Sequence, residues 1–352
     1  MSISVLIIGA GSIGNHLSYA CRSKGWRVSI FDTDSSALER TKNSIYPERY
    51  GAWDEDIELL AEMPADGGYD LVVIGTPPAS HSALGVKILN SLDSRIVLIE
   101  KPLCAPNQEE ILHLKQALKK SRTRVLVGYN HLLTPNTVKV KNLILAGTIG
   151  KPISMHVRWV EHWGGIFKAH PWLSGPSDSY LGKWQEGGGS TSEHSHGISL
   201  WLYLANLLKV GPVERVHASM DSYVEEGVNY DRTSILSLFS ESGFTGSVIQ
   251  DVVSSPPEKM ARIQGSEGFI EWYASDENGE DKVVWGSGTT AMEVVRLPRS
   301  RPDDFIHEVN HVESLFNNPE TESPIAIDHG LLAMRIICAA HESNKGRVAV
   351  RV

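Results

Sequence analysis

The sequence predicts a two-domain α/β protein, with a doubly wound parallel sheet in residues 1–128 and an α+β domain with a mostly antiparallel sheet in residues 129–352, whose C-terminal helix is free to pack back on the first domain. Three observations carry this. Short apolar runs alternate with longer amphipathic segments up to Gly128, the β-α-β-α pattern of a parallel sheet covered by helices. The run Gly9-Ala10-Gly11-Ser12-Ile13-Gly14 follows the first apolar stretch and opens a helix-like pattern. Beyond Gly128 strand follows strand, several joined by Ser-Gly and Asn-Gly segments, which favours sequential antiparallel pairing.

In the first domain the strands are expected at Ile3–Ile8, Arg27–Phe31, Asp70–Ile74, Ile96–Ile99 and Arg124–Val127. Runs such as Val5-Leu6-Ile7-Ile8 and Leu71-Val72-Val73-Ile74 are continuously apolar because a sheet covered on both faces buries every side chain. Helices are expected between them at Ile13–Lys24, Ser35–Asn43, Ser80–Leu92 and Gln108–Lys120. The second domain opens with a helix at Pro135–Ala146. Its strands are expected at Ile153–Val160, Val213–Val224, Ser234–Phe239, Thr245–Val253, Ala261–Gln264, Phe269–Tyr273 and Lys282–Trp285. Phe305, Val309, Val312 and Phe316, at spacings of three and four, form a core stripe rather than a cofactor contact. Between Glu161 and Ser192 lies a Gly- and Trp-rich stretch with no period, longer than an ordinary connection and too aromatic for disorder, as expected of a segment that covers a site.

Composition narrows the function. A chain of 352 residues suits two domains at about 100 to 200 residues each. A net charge of −9, with no run of Lys or Arg longer than a pair, argues against nucleic acid and anionic membrane as partners. The three cysteines, Cys21, Cys104 and Cys338, have no CxxC spacing, so neither a disulfide framework nor a zinc ribbon is expected and a reducing compartment fits best. No apolar run approaches the ~18 residues that span a bilayer. The first strand begins within a few residues of Met1, too soon for a secretion signal, and a cytoplasmic location is expected.

The glycine run carries the first chemical assignment. Gly9 allows a tight turn, Gly11 lets the backbone approach a pyrophosphate, Gly14 lets helix pack on strand, and Ser12 and Ile13 present N–H groups at the helix N-terminus. Asp32 stands at the end of the second strand, about 20 residues on, where an acid accepts the ribose hydroxyls of a dinucleotide. A carboxylate there repels a 2′-phosphate and no Arg or Lys immediately follows it, so NAD is favoured over NADP. Thr76 and Pro77 at the end of the third strand, His81 just inside the next helix, and Glu100 and Lys101 at the end of the fourth are further candidate cofactor contacts. Ligands of open α/β sheets bind at the carboxyl ends of the strands.

Taken in order, GxGxxG, Gly75-Thr76-Pro77-Pro78, Glu100-Lys101-Pro102, Gly128-Tyr129-Asn130-His131, Gly187-Gly188-Gly189 and Ile263-Gln264-Gly265-Ser266-Glu267-Gly268 resemble the Gfo/Idh/MocA family of glucose-fructose oxidoreductase and inositol dehydrogenase relatives. The resemblance covers nearly the whole chain. It implies a Rossmann domain, a second domain with an open-faced sheet often used to form homodimers or homotetramers, and an NAD-dependent dehydrogenase of sugars, amino sugars, inositols or similar polyols. It also implies that Lys101 lies beside nicotinamide and substrate, where an ammonium stabilises oxygen charge as hydride leaves the carbon. The family's second pair is an aspartate followed four residues later by a histidine. Here Ser192-Glu193-His194-Ser195-His196 offers two registers: Glu193 with His196 on one helical face, or His196 with Ser192 in the aspartate position. A histidine suits the base that removes a hydroxyl proton. His196 is the candidate, with His194 as an alternative or as a substrate contact.

Asn130 and His131 are expected to reach substrate or nicotinamide, with Leu132 in place of the arginine often found next. Trp163, Trp172 and Trp184 are candidate stacking surfaces for a sugar ring, although loop packing explains them equally well. No metal is expected, because His194 and His196 are two apart and in a helix would point to different faces. Two other functions share these motifs. One is a same-fold enzyme that uses NAD transiently for epimerisation or elimination; the other is a non-catalytic nucleotide-sensing module, against which Lys101 and the acid-histidine pair argue.

Overall fold

The computed structural model describes residues 2–65, 67–169, 172–225, 227–276, 278–288 and 292–352. They form two compact units, residues 1–130 with 302–330 and residues 131–301 with 331–352. The first unit contains β1 (Ser4–Ile8), α1 (Ser12–Arg22), β2 (Arg27–Phe31), α2 (Ser35–Arg40), α3 (Tyr46–Tyr50), β3 (Ile57–Leu60), β4 (Gly68–Ile74), α4 (Pro78–Ser91), β5 (Asp93–Ile99), α5 (Gln108–Leu118) and β6 (Arg124–Val127). The six strands make one parallel sheet in the order β3-β2-β1-β4-β5-β6. Strand order reverses between β1 and β4, which opens the ligand crevice at their carboxyl ends.

Two elements differ from expectation. β3 is an edge strand of four residues inside an acidic stretch, too short to give a periodic signal. The helix expected at Ser35–Asn43 is instead α2, one π-helical turn at Thr41–Ile45 and α3, and the wider turn adds a residue without a polarity change to mark it. Helix Asp303–Asn317 also belongs to this unit, so the sequence-based segment 129–352 is interrupted. Its Phe305, Val309, Val312 and Phe316 are buried and it packs along α1, with the His16 and Phe305 rings stacked 4.8 Å apart. The following residues return to the sheet, where the Val127 amide donates to the Ile325 carbonyl at 2.9 Å.

The second unit contains α6 (Pro135–Leu145), β7 (Pro152–Val160), α7 (Gly164–Ala169), α8 (Gly189–Glu193), α9 (His196–Leu207), β8 (Val213–Glu225), β9 (Val228–Ser240), β10 (Thr245–Asp251), β11 (Glu258–Gly265), β12 (Gly268–Tyr273), β13 (Asp281–Ser287) and β14 (Glu293–Leu297). The chain then runs into α10, the Asp303–Asn317 helix already described, α11 (Ile327–Gly346) and β15 (Val350–Arg351). The sheet order is β14-β13-β12-β11-β7-β10-β9-β8-β15, antiparallel at every pairing except β7 with β10.

One face of this sheet buries Met155, Val157, Trp159, Leu236, Leu238 and Val248, with α9 against β7 and β10. The other face carries His156, Arg158, Ile235 and Ser247, more exposed and more polar. The period-2 split is that of a sheet covered on one side. The Gly- and Trp-rich stretch packs Trp163 and Leu181 against Tyr230 of β9 and Val252 just after β10 in a small core. Among the described residues no helix is long and apolar enough to cross a membrane.

Candidate active site

In the first unit the site is made of backbone. Gly9 sits at φ 111°, and a Cβ there would meet the Gly75 carbonyl at 2.8 Å. A Cβ on Gly14 would lie 2.1 Å from the Gly9 carbonyl oxygen, so only glycine lets α1 approach β1 this closely. Gly11 is different: a Cβ there would meet nothing within 4 Å. The turn is therefore closed on its protein side and open on the side where a pyrophosphate would pass. No side chain caps α1, which leaves that helix end to a ligand. On these observations the residues fit a dinucleotide.

Around the turn, Asp32 accepts the Ala10 amide through Oδ2 at 2.8 Å and the Asp34 amide through Oδ1 at 2.9 Å. The carboxylate is thus held at the end of β2, as a ribose contact requires. Thr41 Oγ1 donates to the Ala10 carbonyl at 2.5 Å, and Asn15 Nδ2 to the Gly11 carbonyl at 2.9 Å. Arg49 was not found by sequence reasoning. Its guanidinium donates to the Ser12 carbonyl at 2.9 Å and to Ser12 Oγ at 2.8 Å, which brings a cation to the start of α1. Its only signal was Pro47 two residues earlier, a helix start not recognised as one.

At the neighbouring strand ends, Thr76 Oγ1 lies 2.6 Å from Ser80 Oγ, and Pro77 caps α4. Buried His81 spans two loops, with Nε2 2.6 Å from the Thr76 carbonyl and Nδ1 2.9 Å from the Pro102 carbonyl. Burial pulls its pKa down against the two carbonyls, and the Lys101 ammonium pulls the same way. Glu100 is buried and accepts the Lys101 amide through Oε2 at 3.3 Å, while the Lys101 side chain is half-buried. Asn130, also buried, ends this unit.

The candidate residues of the second unit are side chains that gather among themselves. Trp159, buried at the end of β7, stacks on His196 at 5.3 Å and 21°, and on Trp272 at 6.0 Å and 25°. His131 stands edge-on to both Trp159, at 4.8 Å, and His196, at 4.9 Å. Hydroxyls hold His131 from behind: Thr134 and Thr137 donate to its carbonyl at 2.8 and 2.7 Å, and Trp272 Nε1 donates to Thr137 Oγ1 at 2.9 Å. Two of the expected site residues, His131 and His196, are thereby brought together on the Trp159 indole, which sequence reasoning did not single out.

Glu193 and His196, expected on one helical face in the first of the two registers, do not share a helix. α8 ends at Glu193, His194 breaks it at φ −93° and ψ 23°, and α9 begins at His196, so the spacing of three crosses a joint between helices. Glu193 accepts from the Tyr180 hydroxyl at 3.1 Å. His194 Nε2 lies 3.2 Å from the Glu161 carbonyl. Ser192, the alternative position, is fully buried, with a hydroxyl that has no hydrogen-bond partner among the described residues.

Asp231, from β9, fixes α8: its Oδ2 accepts the Thr191 amide, Thr191 Oγ1 and Ser190 Oγ at 2.6–2.7 Å. Next to Trp159, Lys259 pairs with Glu161 at 2.7 Å and reaches 5.6 Å from the indole. Burial holds the Lys259 ammonium below its ordinary pKa, against the Glu161 carboxylate. Burial pushes Glu161 up, but the charge and hydrogen bond of Lys259 together with His194 and Arg301 leave that carboxyl below its ordinary value.

The three tryptophans that were candidates for stacking on a ring, or for loop packing, have the following settings. Trp163 is a core residue packed on Tyr230 at 4.7 Å, Trp184 stacks on His341 at 4.3 Å, and Trp172 is 41% exposed. Loop packing accounts for the first. Among the described residues no group of three or more His, Cys, Asp and Glu side chains is arranged to hold a metal ion.

Residues 3–129 match the family model described as "Oxidoreductase family, NAD-binding Rossmann fold", and residues 137–271 match the "GFO/IDH/MocA C-terminal domain". Among curated relatives, inositol 2-dehydrogenase 1 of Saccharopolyspora erythraea is 32% identical over 95 residues, 27% of this chain and 28% of that protein. Oxidoreductase P35 of Formosa agariphila is 27% identical over 160 residues, 43% of this chain and 46% of that protein. The matches thus span less than half the length of these relatives. Among solved structures, levoglucosan dehydrogenase with NADH and levoglucosan superposes at TM-score 0.80 and 19% identity, covering 100% of each chain. The WlbA dehydrogenase of Bordetella pertussis with NADH and UDP-GlcNAcA superposes at 0.71 and 21% identity, covering 100% of this chain and 99% of that one. Likeness at this identity speaks for the fold.

Proposed function

Since the chain belongs to the Gfo/Idh/MocA oxidoreductase family, with its NAD-binding Rossmann domain, we propose that it is an NAD-dependent dehydrogenase of a secondary alcohol, or reductase of the matching ketone, on a sugar, amino sugar, inositol or similar polyol. The observation that carries this reading is the turn at Gly9, Gly11 and Gly14, closed to any side chain on the protein side, open at Gly11 and flanked by the tethered Asp32 carboxylate. Bound NAD would take up or return the hydride. The relatives named inositol 2-dehydrogenase and the sugar-bound neighbours support the substrate class.

This chain's own residues have the following roles in the proposal. The Gly11–Gly14 amides and the start of α1 bind the pyrophosphate, and Asp32 accepts the ribose hydroxyls. Lys101 lends positive charge to the substrate oxygen, where charge develops as the C–H bond breaks. His196 takes the hydroxyl proton, and its stacking on Trp159 sets the ring's plane so that one nitrogen can point at the substrate. His131, clamped by two threonines, supplies a second polar contact. Assembly into a homodimer or homotetramer through the uncovered sheet face belongs to the same proposal, supported by Ile235, 50% exposed on that face. The test is NADH formation across sugars, sugar nucleotides and inositols at alkaline pH. Absence of turnover across that panel, with NAD bound, would leave the nucleotide-sensing alternative standing.

A further inference from the structure

Arg49 stands half-buried on α3 and turns both ends of its guanidinium fork to one residue: Nη1 donates to the Ser12 carbonyl at 2.9 Å and Nη2 to the Ser12 hydroxyl at 2.8 Å. Ser12 is the first residue of α1, next to the open Gly11. Packing on both sides dictates this placement. Tyr50, beside Arg49, stacks on Tyr19 of α1 at 3.9 Å and 5°, and its hydroxyl lies 2.5 Å from His16 Nδ1. Upstream, Thr41 Oγ1 donates to the Ala10 carbonyl at 2.5 Å and accepts from Asn15 Nδ2 at 3.2 Å. Residues 41–50 are thus fastened to the glycine turn at one end and to α1 at the other, and the last turn of α3 delivers the guanidinium to the start of α1.

A cation is an ill-matched neighbour for that helix end by itself. The N-terminus of α1 is the positive pole of the helix dipole, which opposes a guanidinium until an anion joins them. The two bonds to Ser12 hold the charge there and leave the anion-binding groups intact. A guanidinium accepts nothing, so it takes none of the N–H groups of α1, and a serine hydroxyl that accepts still has a proton to give. The fork also matches the oxygens of a phosphate, to which helix amides alone bring only partial charge. Asp32, the carboxylate of the same turn, is held away on the Ala10 and Asp34 amides, at the ribose end.

We propose that Arg49 is a further dinucleotide-binding residue, whose guanidinium, seated on Ser12, pairs with the pyrophosphate and offsets its charge. This rests on the glycine turn's binding of NAD and not on the substrate, Lys101 or His196.

Calorimetric titration of the full chain with NAD, ADP-ribose and NADP, in the absence of any substrate, tests it. Arg49→Gln keeps a donor for Ser12 and removes the charge. NAD and ADP-ribose, which share the pyrophosphate, should both weaken by the same factor, roughly tenfold or more, as for loss of a hydrogen bond to a charged group. The melting temperature of the ligand-free chain should stay level, and added salt should weaken binding less steeply than in wild type. Arg49→Lys should restore the salt dependence and part of the affinity.

Unchanged affinities in the Gln variant overturn the proposal. Loss confined to NADP would move Arg49 to a 2′-phosphate and overturn it as well. A lowered melting temperature with the wild-type salt dependence would make Arg49 a clamp for α3 and nothing more. If the Gln variant does not fold, wild type decides: modification of Arg49 by phenylglyoxal, read on its own peptide, slows when ADP-ribose is bound, and an equal rate with and without that ligand refutes the contact. NAD binding indifferent to Arg49 sinks this inference and spares the dehydrogenase reading; NAD binding that needs Arg49, with no turnover of any sugar or polyol, does the reverse.

Discussion

The two units offer candidate residues of different material. The first uses main chain: Gly9, Gly11 and Gly14 matter for the side chains they lack, and α1 offers N–H groups. The second uses imidazole, indole and hydroxyl: Trp159, His131, His196 and Trp272 hold one another, with Thr134 and Thr137 behind them. A backbone site is bound to local spacing, whereas a side-chain site depends on residues far apart in sequence meeting in space. The first kind keeps its ligand when chemistry is altered, and the second changes chemistry when packing is altered.

The largest effect expected is at His196. His196→Asn keeps the ring's approximate bulk but not its basicity, and kcat should fall by about 10² to 10⁴ with loss of the acidic limb of the pH-rate profile. A profile of unchanged shape would separate His196 from proton removal and break the comparison on the side-chain half. Lys101→Met should cut kcat by roughly 10² or more while calorimetric NAD affinity stays level. Parallel loss of both would make Lys101 part of the nucleotide cradle instead. Trp163→Ala should cost about 3–5 kcal/mol of stability, with KM little moved, because the ring is buried with Leu181, Tyr230 and Val252 in a small core. A raised KM at unchanged melting temperature would restore Trp163 to the substrate.

Asp32→Ser should weaken NAD about tenfold and narrow the gap to NADP, read by titration, since a lost hydrogen bond to a charged acceptor is worth about 1.5–3 kcal/mol. Equal affinity of wild type for both nucleotides would remove Asp32 from the ribose. The smallest effect is a matter of pH. Burial, and then Arg124, pull the His311 pKa to about 4, so the fold holds this ring neutral where the unfolded chain, at 6.5, takes a proton. Stability should therefore decline as pH falls from 6.5 toward about 4, and His311→Gln should flatten that decline in thermal melts.

Legibility in the sequence followed the same divide. β1, the glycine turn, α1 and Asp32 could be read in one pass because strand, turn and helix are contiguous and glycine's role is local. β2 and β6 fall where their apolar runs do. β3 escaped because an edge strand of four residues needs little apolar material. The joint at His194 escaped because Ser, Glu and His tolerate both helix and turn, and what ends α8 is the packing around it. Asp231 could not have been found from Asn229-Tyr230-Asp231-Arg232: the helix it holds lies 40 residues earlier. Trp159 was distinguished only by where β7 ends.

The return of residues 302–330 to the first unit has a consequence for the order in which the protein can be made. When residues 1–130 have left the ribosome, the whole glycine turn and all six parallel strands exist, yet the partner of Val127's amide and the helix that covers α1 do not. Until Phe305, Val309, Val312 and Phe316 are synthesised, some 170 residues later, the apolar side of α1 must wait uncovered or borrow a cover. A dinucleotide-binding domain whose motif is complete early is thus closed late. Cutting the chain after residue 130 would sever a domain rather than release one.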